Sequence, residues 1–505
     1  MKIRAAARVS LAAIAIVSAA RSLAGSGESP AREPDRQAIV HFLSRTTYGP
    51  RPVDVARVQR IGLARYIDEQ LHPERIDDTA IEGRLAGFET SALTSREIAE
   101  QYARPALEAR RERQRLAKPR GEETTPAGPG DEVRRANQPL VELSEQKILR
   151  AAYSERQLQE VLVDFWFNHF NVDARKGPDR FLLTAYERDA IRPHVLGSFR
   201  ELLGATAKSP AMLFYLDNWM SAADPAGARQ SGARRGLNEN YGRELMELHT
   251  LGVDGGYTQR DVTEVARAFT GWTVQQPRRG GPFRFDPRAH DRGAKIVLGH
   301  RIAAGGGIED GERVLDILAA QPATARFIAG KLARRFVSDA PPPALVDRVA
   351  ARFTSTHGDL RAVMREILAA PELLAPSGYR AKVKTPFEFV VSAVRALDAD
   401  VTRAAPLVRA VQQLGMPLYQ CQPPTGYHDT ADAWVNAGAL VERMNLALAL
   451  ASGRVPGVAF APERWTIDAA LFGEASPATR ETIARAPTKV QQIALALGSP
   501  EFQRR

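Results

Sequence analysis

The chain contains one cysteine in 505 residues, Cys421, so it cannot close a disulfide within itself and must draw its stability from burial. Aromatic residues make up only 7%, and no basic stripe is interleaved with them, which argues against nucleic-acid binding. Past the N-terminus there is no uninterrupted apolar run of about 20 residues, so no stable membrane insertion of the mature chain is expected. Signals for β-strands are nearly absent. A GxSxG elbow, a Walker A loop, an HExxH helix and a dinucleotide fingerprint are all missing, which removes the most easily assigned enzyme classes.

What is present begins with an export signal. Lys2, Arg4 and Arg8 precede an apolar run from Val9 to Ala20 and a small-x-small pattern at Ser22-Leu23-Ala24, as in a secretory signal peptide cleaved near Ala24. A periplasmic or secreted location follows. Loss of residues 1–24 takes away four of the 69 basic residues and none of the 59 acidic ones, leaving a mild net charge of about +6. Residues 25–37 read as a disordered linker.

From there on, apolar positions recur at helical spacing and the breaks carry helix punctuation. Ser154-Glu-Arg-Gln157 resembles a capping box, Ser209-Pro210 and Thr385-Pro386 read as helix starts, and Asp310, Thr324 and Asp347 lie at or near others. Asp429-Thr430 reads as the start of a helix containing Trp434. The expected fold is all-α: one large helical domain over residues 38–460, with helix-hairpin packing, and C-terminal helices over 461–505 on the same domain. Two insertions interrupt it. Residues 104–139 are rich in Arg, Glu, Gly and Pro and predict a mobile loop with a helical first half; residues 223–236 predict a flexible loop. Gln275–Pro282 is a third break.

Chemistry concentrates between Asn238 and Thr273. With Asn238 as N-cap, a helix places Asn240, Arg243, Glu244 and Glu247 on one face, with Tyr241, Leu245, Leu248 and His249 on other sides. A second helix starts at Thr258 and carries Asp261 and Glu264 one turn apart. Packed as a hairpin, the two acidic pairs can converge as in helical-bundle metal sites; for Asp261 and Glu264 the structural reading comes first, in which Arg243, Arg260 and Arg267 neutralise the acids and Asp261 complements its helix dipole.

Other candidates lie elsewhere. His169 closes an apolar helix within FWFNHFN, where it serves either as a ligand or as a hydrogen-bonded core residue. His290-Asp291 in the loop DPRAHDRGAK is a candidate metal-binding pair, and Lys295 a candidate anion holder. His428-Asp429 is a weaker pair of the same type. HD phosphohydrolases are a poor match, because their dyad lies on a helix.

The segments FNHFNV, SPAMLFYLDN, NENYGRELMELHTLGVDGGYTQRDVTEVARAFTGWT, HDRGAKIVLG, PATARFIAGKLARRFVSDAPP and TPFEFVVSAVRAL resemble the bacterial family called domain of unknown function 1800. That resemblance implies an exported helical protein of unassigned activity and supplies no catalytic residues. It also suggests a partner, a sulfatase-like exported protein of the domain of unknown function 1501 family, beside which members are often encoded. Tyr241-Gly-Arg-Glu244 departs from the usual Tyr-Ala-Arg-Glu. Two readings stand. In the first, the protein is a hydrolase-like enzyme, metal-assisted or not, with His169, Asn240, Arg243, Glu244, Glu247 and Lys295 as site residues and a divalent ion at His290 and Asp291. In the second it is a non-catalytic binding or assembly partner of another exported protein. The first requires His169, Glu244, Glu247, His290 and Asp291 to surround one pocket.

Overall fold

Mostly amphipathic helices pack around a shared interior in the computed structural model, which describes residues 35–116, 130–223 and 236–505. The expected signal peptide and nearly all of the linker and of the 223–236 loop lie outside these residues. Buried apolar side chains form one continuous cluster from Ile39 to Phe502, so residues 461–505 contribute Trp465, Leu471, Ile493 and Phe502 to the same core. The architecture is all-α in substance.

The helices that position the features below are α1 (Arg36–Thr46), α2 (Arg104–Leu116), α3 (Asp131–Tyr153), α4 (Gln157–His169), α5 (Pro210–Tyr215), α6 (Glu239–Glu247) and α7 (Gln259–Ala268). After them come α8 (Ile308–Ala319), α9 (Pro322–Phe336), α10 (Pro343–Ser355), α11 (Pro386–Ala396), α12 (Ala437–Ala451) and α13 (Lys489–Gly498). The sequential pairs α6 with α7 and α9 with α10 pack side by side, as does α12 with α13.

Capping chemistry accounts for many of these boundaries. Asn238 accepts a hydrogen bond from the Asn240 amide, Thr258 and Asp261 form a reciprocal capping box, and Thr385 does the same with Glu388. Pro210 and Pro386 occupy first-turn positions, where a missing N–H costs nothing.

Three expectations need correction. Ser154 ends α3 and does not open α4: the Gln157 amide turns back to donate to the carbonyls of Ala151 and Ser154, while its oxygen accepts from the Tyr48 amide. Residues 131–139 are not loop but the first turns of α3, which runs through a buried Pro139; packing of Leu143, Ile148 and Leu149 outweighs the interior proline's cost of about 3 kcal/mol. The first half of that insertion is helical, as α2, and residues 117–129 lie outside the described residues. Trp434 follows a single 3-10 turn, and the next helix, α12, starts from Asn436.

Short strands were not expected at all. β1 (Trp272–Val274) pairs antiparallel with β2 (Phe283–Phe285), and the Gln275–Pro282 break is their connection. β3 (Lys295–Val297) pairs with β4 (His300–Ile302) through Leu298 and Gly299, both at positive φ, as a two-residue hairpin turn demands. A third pair joins β5 (Asp400–Val401) to β6 (Val458–Ala459).

Candidate functional site

The polar stripe of α6 lies at the surface. Asn240 is exposed, Arg243 Nη2 donates to Gln259 Oε1 at 2.7 Å, and Glu247 accepts from the Tyr257 hydroxyl at 3.2 Å. Glu244 is half-buried, and its side chain makes no hydrogen bond or ion pair among the described residues; burial raises its pKa, and the neighbouring Glu247 adds to the effect. Gly242 turns out to be more than a weak helix residue. A Cβ there would sit 3.1 Å from Ala266 N and Val262 O, so its absence lets α6 and α7 approach closely.

The acids of α7 serve the β3–β4 hairpin. Asp261 accepts from Thr258 with one carboxylate oxygen and from the Leu298 amide, at 2.8 Å, with the other; Glu264 accepts from Arg267 and from the Ile296 amide. The four-carboxylate convergence is therefore replaced by a staple, because strand amides left open by the hairpin find acceptors on the helix. Among the described residues no three His, Cys, Asp or Glu side chains come together as a metal-binding group.

His169 faces inward. Its Nε2 lies 3.1 Å from the His249 carbonyl, and its ring is enclosed by Trp166, Phe170 and Phe327. Burial pushes its pKa well down, and the Lys331 ammonium adds to this. His290 is fully buried, with Nδ1 2.8 Å from the Thr270 carbonyl and Nε2 3.2 Å from Asp310 Oδ2. Asp291 turns the other way, to Arg267 at 2.8 Å, so the adjacent pair does not chelate at one point. Lys295 is fully buried and donates to Asp310 Oδ2 and to the carbonyls of Asp291 and Gly293, which uses all three of its protons and leaves none for an anion. The structure thus puts the stripe, His169 and the His290-Asp291-Lys295 group in three separate environments.

A different set of charged residues meets at a narrow cleft. Asp164 and Asn168 come from the last turns of α4, Arg335 from the end of α9, Thr385 and Glu388 from the start of α11, and Tyr427, His428 and Asp429 from the segment between Gln413 and α12; Arg505 joins them, and Phe165 and Met416 add apolar surface. The FNHFN motif builds one wall. Asn168 exchanges hydrogen bonds with the backbone of Tyr427 at 2.7 and 2.8 Å, and Asn171 donates to the carbonyls of Cys421 and Pro423, both at 2.9 Å. Gly426, at φ +73°, passes so close that a Cβ would lie 2.3 Å from the Asn168 carbonyl oxygen.

Three segments quoted for the family resemblance, FNHFNV, KLARRFV and TPFEFV, meet in this cleft. Arg335 Nη2 and Arg505 Nε lie 2.8 and 3.1 Å from the same Glu388 oxygen, while the other accepts from the Thr385 amide. Burial alone would raise the Glu388 pKa, but Arg505 and Arg335 outweigh it and hold the carboxyl at about 2. Asp164 pairs with Lys147 at 2.7 Å. One turn before Arg335, Lys331 points the same way; burial lowers its pKa, and Asp429 partly offsets this. The side chains of His428 and Asp429 make no hydrogen bond or ion pair among the described residues.

Sequence reasoning missed Asp164, Lys331, Arg335, Glu388 and Arg505. A signal was present for two of them. Arg335 falls on the apolar stripe of α9 with Ile328, Leu332 and Phe336, and Glu388 stands in a helix that is otherwise almost wholly apolar. Charges placed on a buried face have to serve one another or a ligand.

A protein-family model described as "Protein of unknown function (DUF1800)" matches residues 41–504, nearly the whole chain. No curated protein and no solved structure matches it.

Proposed function

The chain belongs to the DUF1800 family of unknown function, and from that premise we propose that it is an exported, hydrolase-like enzyme whose working site is the cleft between α4, α9, α11 and residues 427–429. His428 and Asp429 are its proton-handling groups. One observation carries this reading: among the described residues they are the cleft's titratable side chains without a hydrogen bond or ion pair, whereas Asp164, Glu388, Arg335 and Arg505 are tied to one another or to Lys147. A general acid or base has to be free to exchange its proton with substrate, and an imidazole and a carboxylate without such ties meet that need.

The test is turnover of chromogenic carboxylate, phosphate and sulfate esters by the mature chain, with and without added divalent cations. His428→Ala and Asp429→Asn should each lower kcat/KM by about 100-fold or more while leaving the melting temperature unchanged. Absence of turnover across the panel would end the enzyme reading. Export is checked separately, by fractionation of cells expressing residues 1–505 and N-terminal sequencing for a start at Gly25.

One observation favours the alternative of an assembly partner. The outer face of α12 exposes Leu440, Val441, Met444 and Leu448, next to exposed Val435, an apolar strip with the look of a docking surface. A sulfatase-like exported protein of the domain of unknown function 1501 family is the proposed occupant. Co-purification with such a protein, abolished by Val441→Glu with Met444→Glu, would support it.

A further inference from the structure

We propose that the cleft binds an oxyanion, the shared chemistry of a sulfate, a phosphate or a carboxylate group, between the guanidinium groups of Arg335 and Arg505. Such a ligand presupposes that the cleft is the working site but requires no turnover there. The first ground is charge. Arg45, Arg335, Lys382, Arg443 and Arg505 are buried in one neighbourhood around Glu388, the one fully buried carboxylate there; the partly exposed Asp339, which pairs with Lys382, and Asp429 supply the rest of the negative charge. Burying several cations around few carboxylates is costly: burial lowers the pKa of Arg45 to about 9, Arg505 and Arg335 add to it, and Glu388 and Asp339 only partly offset them.

The second ground is unmet hydrogen bonding. Among the described residues Arg335 Nη1 and Arg505 Nη1 are buried donors without an acceptor, and each residue is only 4% exposed. Arg505 Nε lies 3.1 Å from Glu388 Oε1 without the alignment of a hydrogen bond. Buried donors of this kind call for an acceptor, and an oxyanion presents several oxygens to a guanidinium fork at once. The third ground is Thr385. Its oxygen accepts from the Glu388 amide at 3.2 Å, leaving the hydroxyl proton free to donate, and it stands at the positive end of the 11-residue α11. The two acids on the opposite side do not repel an anion unopposed, because Asp164 is paired with Lys147 and the charge of Asp429 is partly offset by that of Lys331 without direct contact. The cleft is narrow, and a bound oxyanion would spread its outer wall at residues 427–429.

The experiment is calorimetric titration of the mature protein with sodium sulfate, phosphate and acetate, each against sodium chloride at equal ionic strength. Saturable binding of at least one oxyanion is expected, and the strongest of the three identifies the ligand class. Arg335→Lys keeps the charge but loses the fork, so Kd should rise at least tenfold. If that variant does not fold, selenate soaked into wild-type crystals should give anomalous density between Arg335 and Arg505. No oxyanion binding beyond chloride would overturn the site; so would binding unchanged in Arg335→Lys and Arg505→Lys, or density elsewhere, either of which marks an adventitious ion only. A protein that binds the anion but hydrolyses no ester keeps this site and loses the enzyme, and the converse result does the reverse.

Discussion

Arg335 and Glu388 form an ion pair 2.8 Å long with each side chain 5% exposed. The folded-state pKa of Glu388, about 2, lies below the ordinary 4.5, so the pair stabilises the fold above pH 4.5 and loses its effect as pH falls through 2. Glu388→Gln should therefore cost about 3–5 kcal/mol at pH 7, because it leaves Arg335 and Arg505 buried without their anion. Urea unfolding at pH 7 and pH 3 checks this; a penalty that does not shrink at the lower pH refutes the charge argument.

Buried neutral histidines make the protein acid-sensitive in a defined window. Burial, with Arg45 adding to it, lowers His41 to about 4, and burial with Lys331 lowers His249 to about 3. The unfolded chain takes up protons from pH 6.5 downward and the folded one does not, so stability falls as pH drops from 6.5 to about 4. His249→Gln should flatten the dependence of melting temperature on pH across that range.

Asp179 is fully buried, and among the described residues neither of its carboxylate oxygens has a hydrogen-bond partner. Burial raises its pKa well above 3.8, so folding costs increasingly more as pH rises past that value. Asp179→Asn should stabilise the protein by about 1–3 kcal/mol at neutral pH, with the gain fading below pH 3.8. Chemical denaturation at the two pH values measures it, and a destabilised variant at pH 7 would contradict it.

Gly271, at φ +79°, lets β1 begin where a Cβ would lie 2.5 Å from the Asp286 carbonyl oxygen. Gly271→Ala combines left-handed strain with a backbone clash and should cost about 2 kcal/mol or more, read as a lowered denaturation midpoint with unchanged slope.

Helices were legible because their signals are local. Asn238, Thr258 and Thr385 each announce a start within four residues, and the observed caps use those side chains. Ser154-Gln157 has the same pattern and fails, because both side chains are claimed by other groups: Ser154 donates to Asp78 and Gln157 bonds the Tyr48 amide. The three strand pairs escaped because strands of two or three residues are too short to show alternation. At the site, the motif FWFNHFN was visible as unusual, but which residue faced where was not. Asn168 and Asn171 anchor a segment some 250 residues away, and His169 goes into the core. The cleft joins positions 164, 335, 388 and 505, a juxtaposition that only tertiary packing creates.

The single thiol offers a clock. Cys421 is 6% exposed, its backbone is pinned by Asn171, and it lies in the same stretch as Tyr427, His428 and Asp429. A thiol reagent has one target in this protein, and it reacts only during the moments when that stretch lifts away. Labelling rates would therefore time the breathing of the wall, and a molecule lodged behind it would announce itself as a slower reaction.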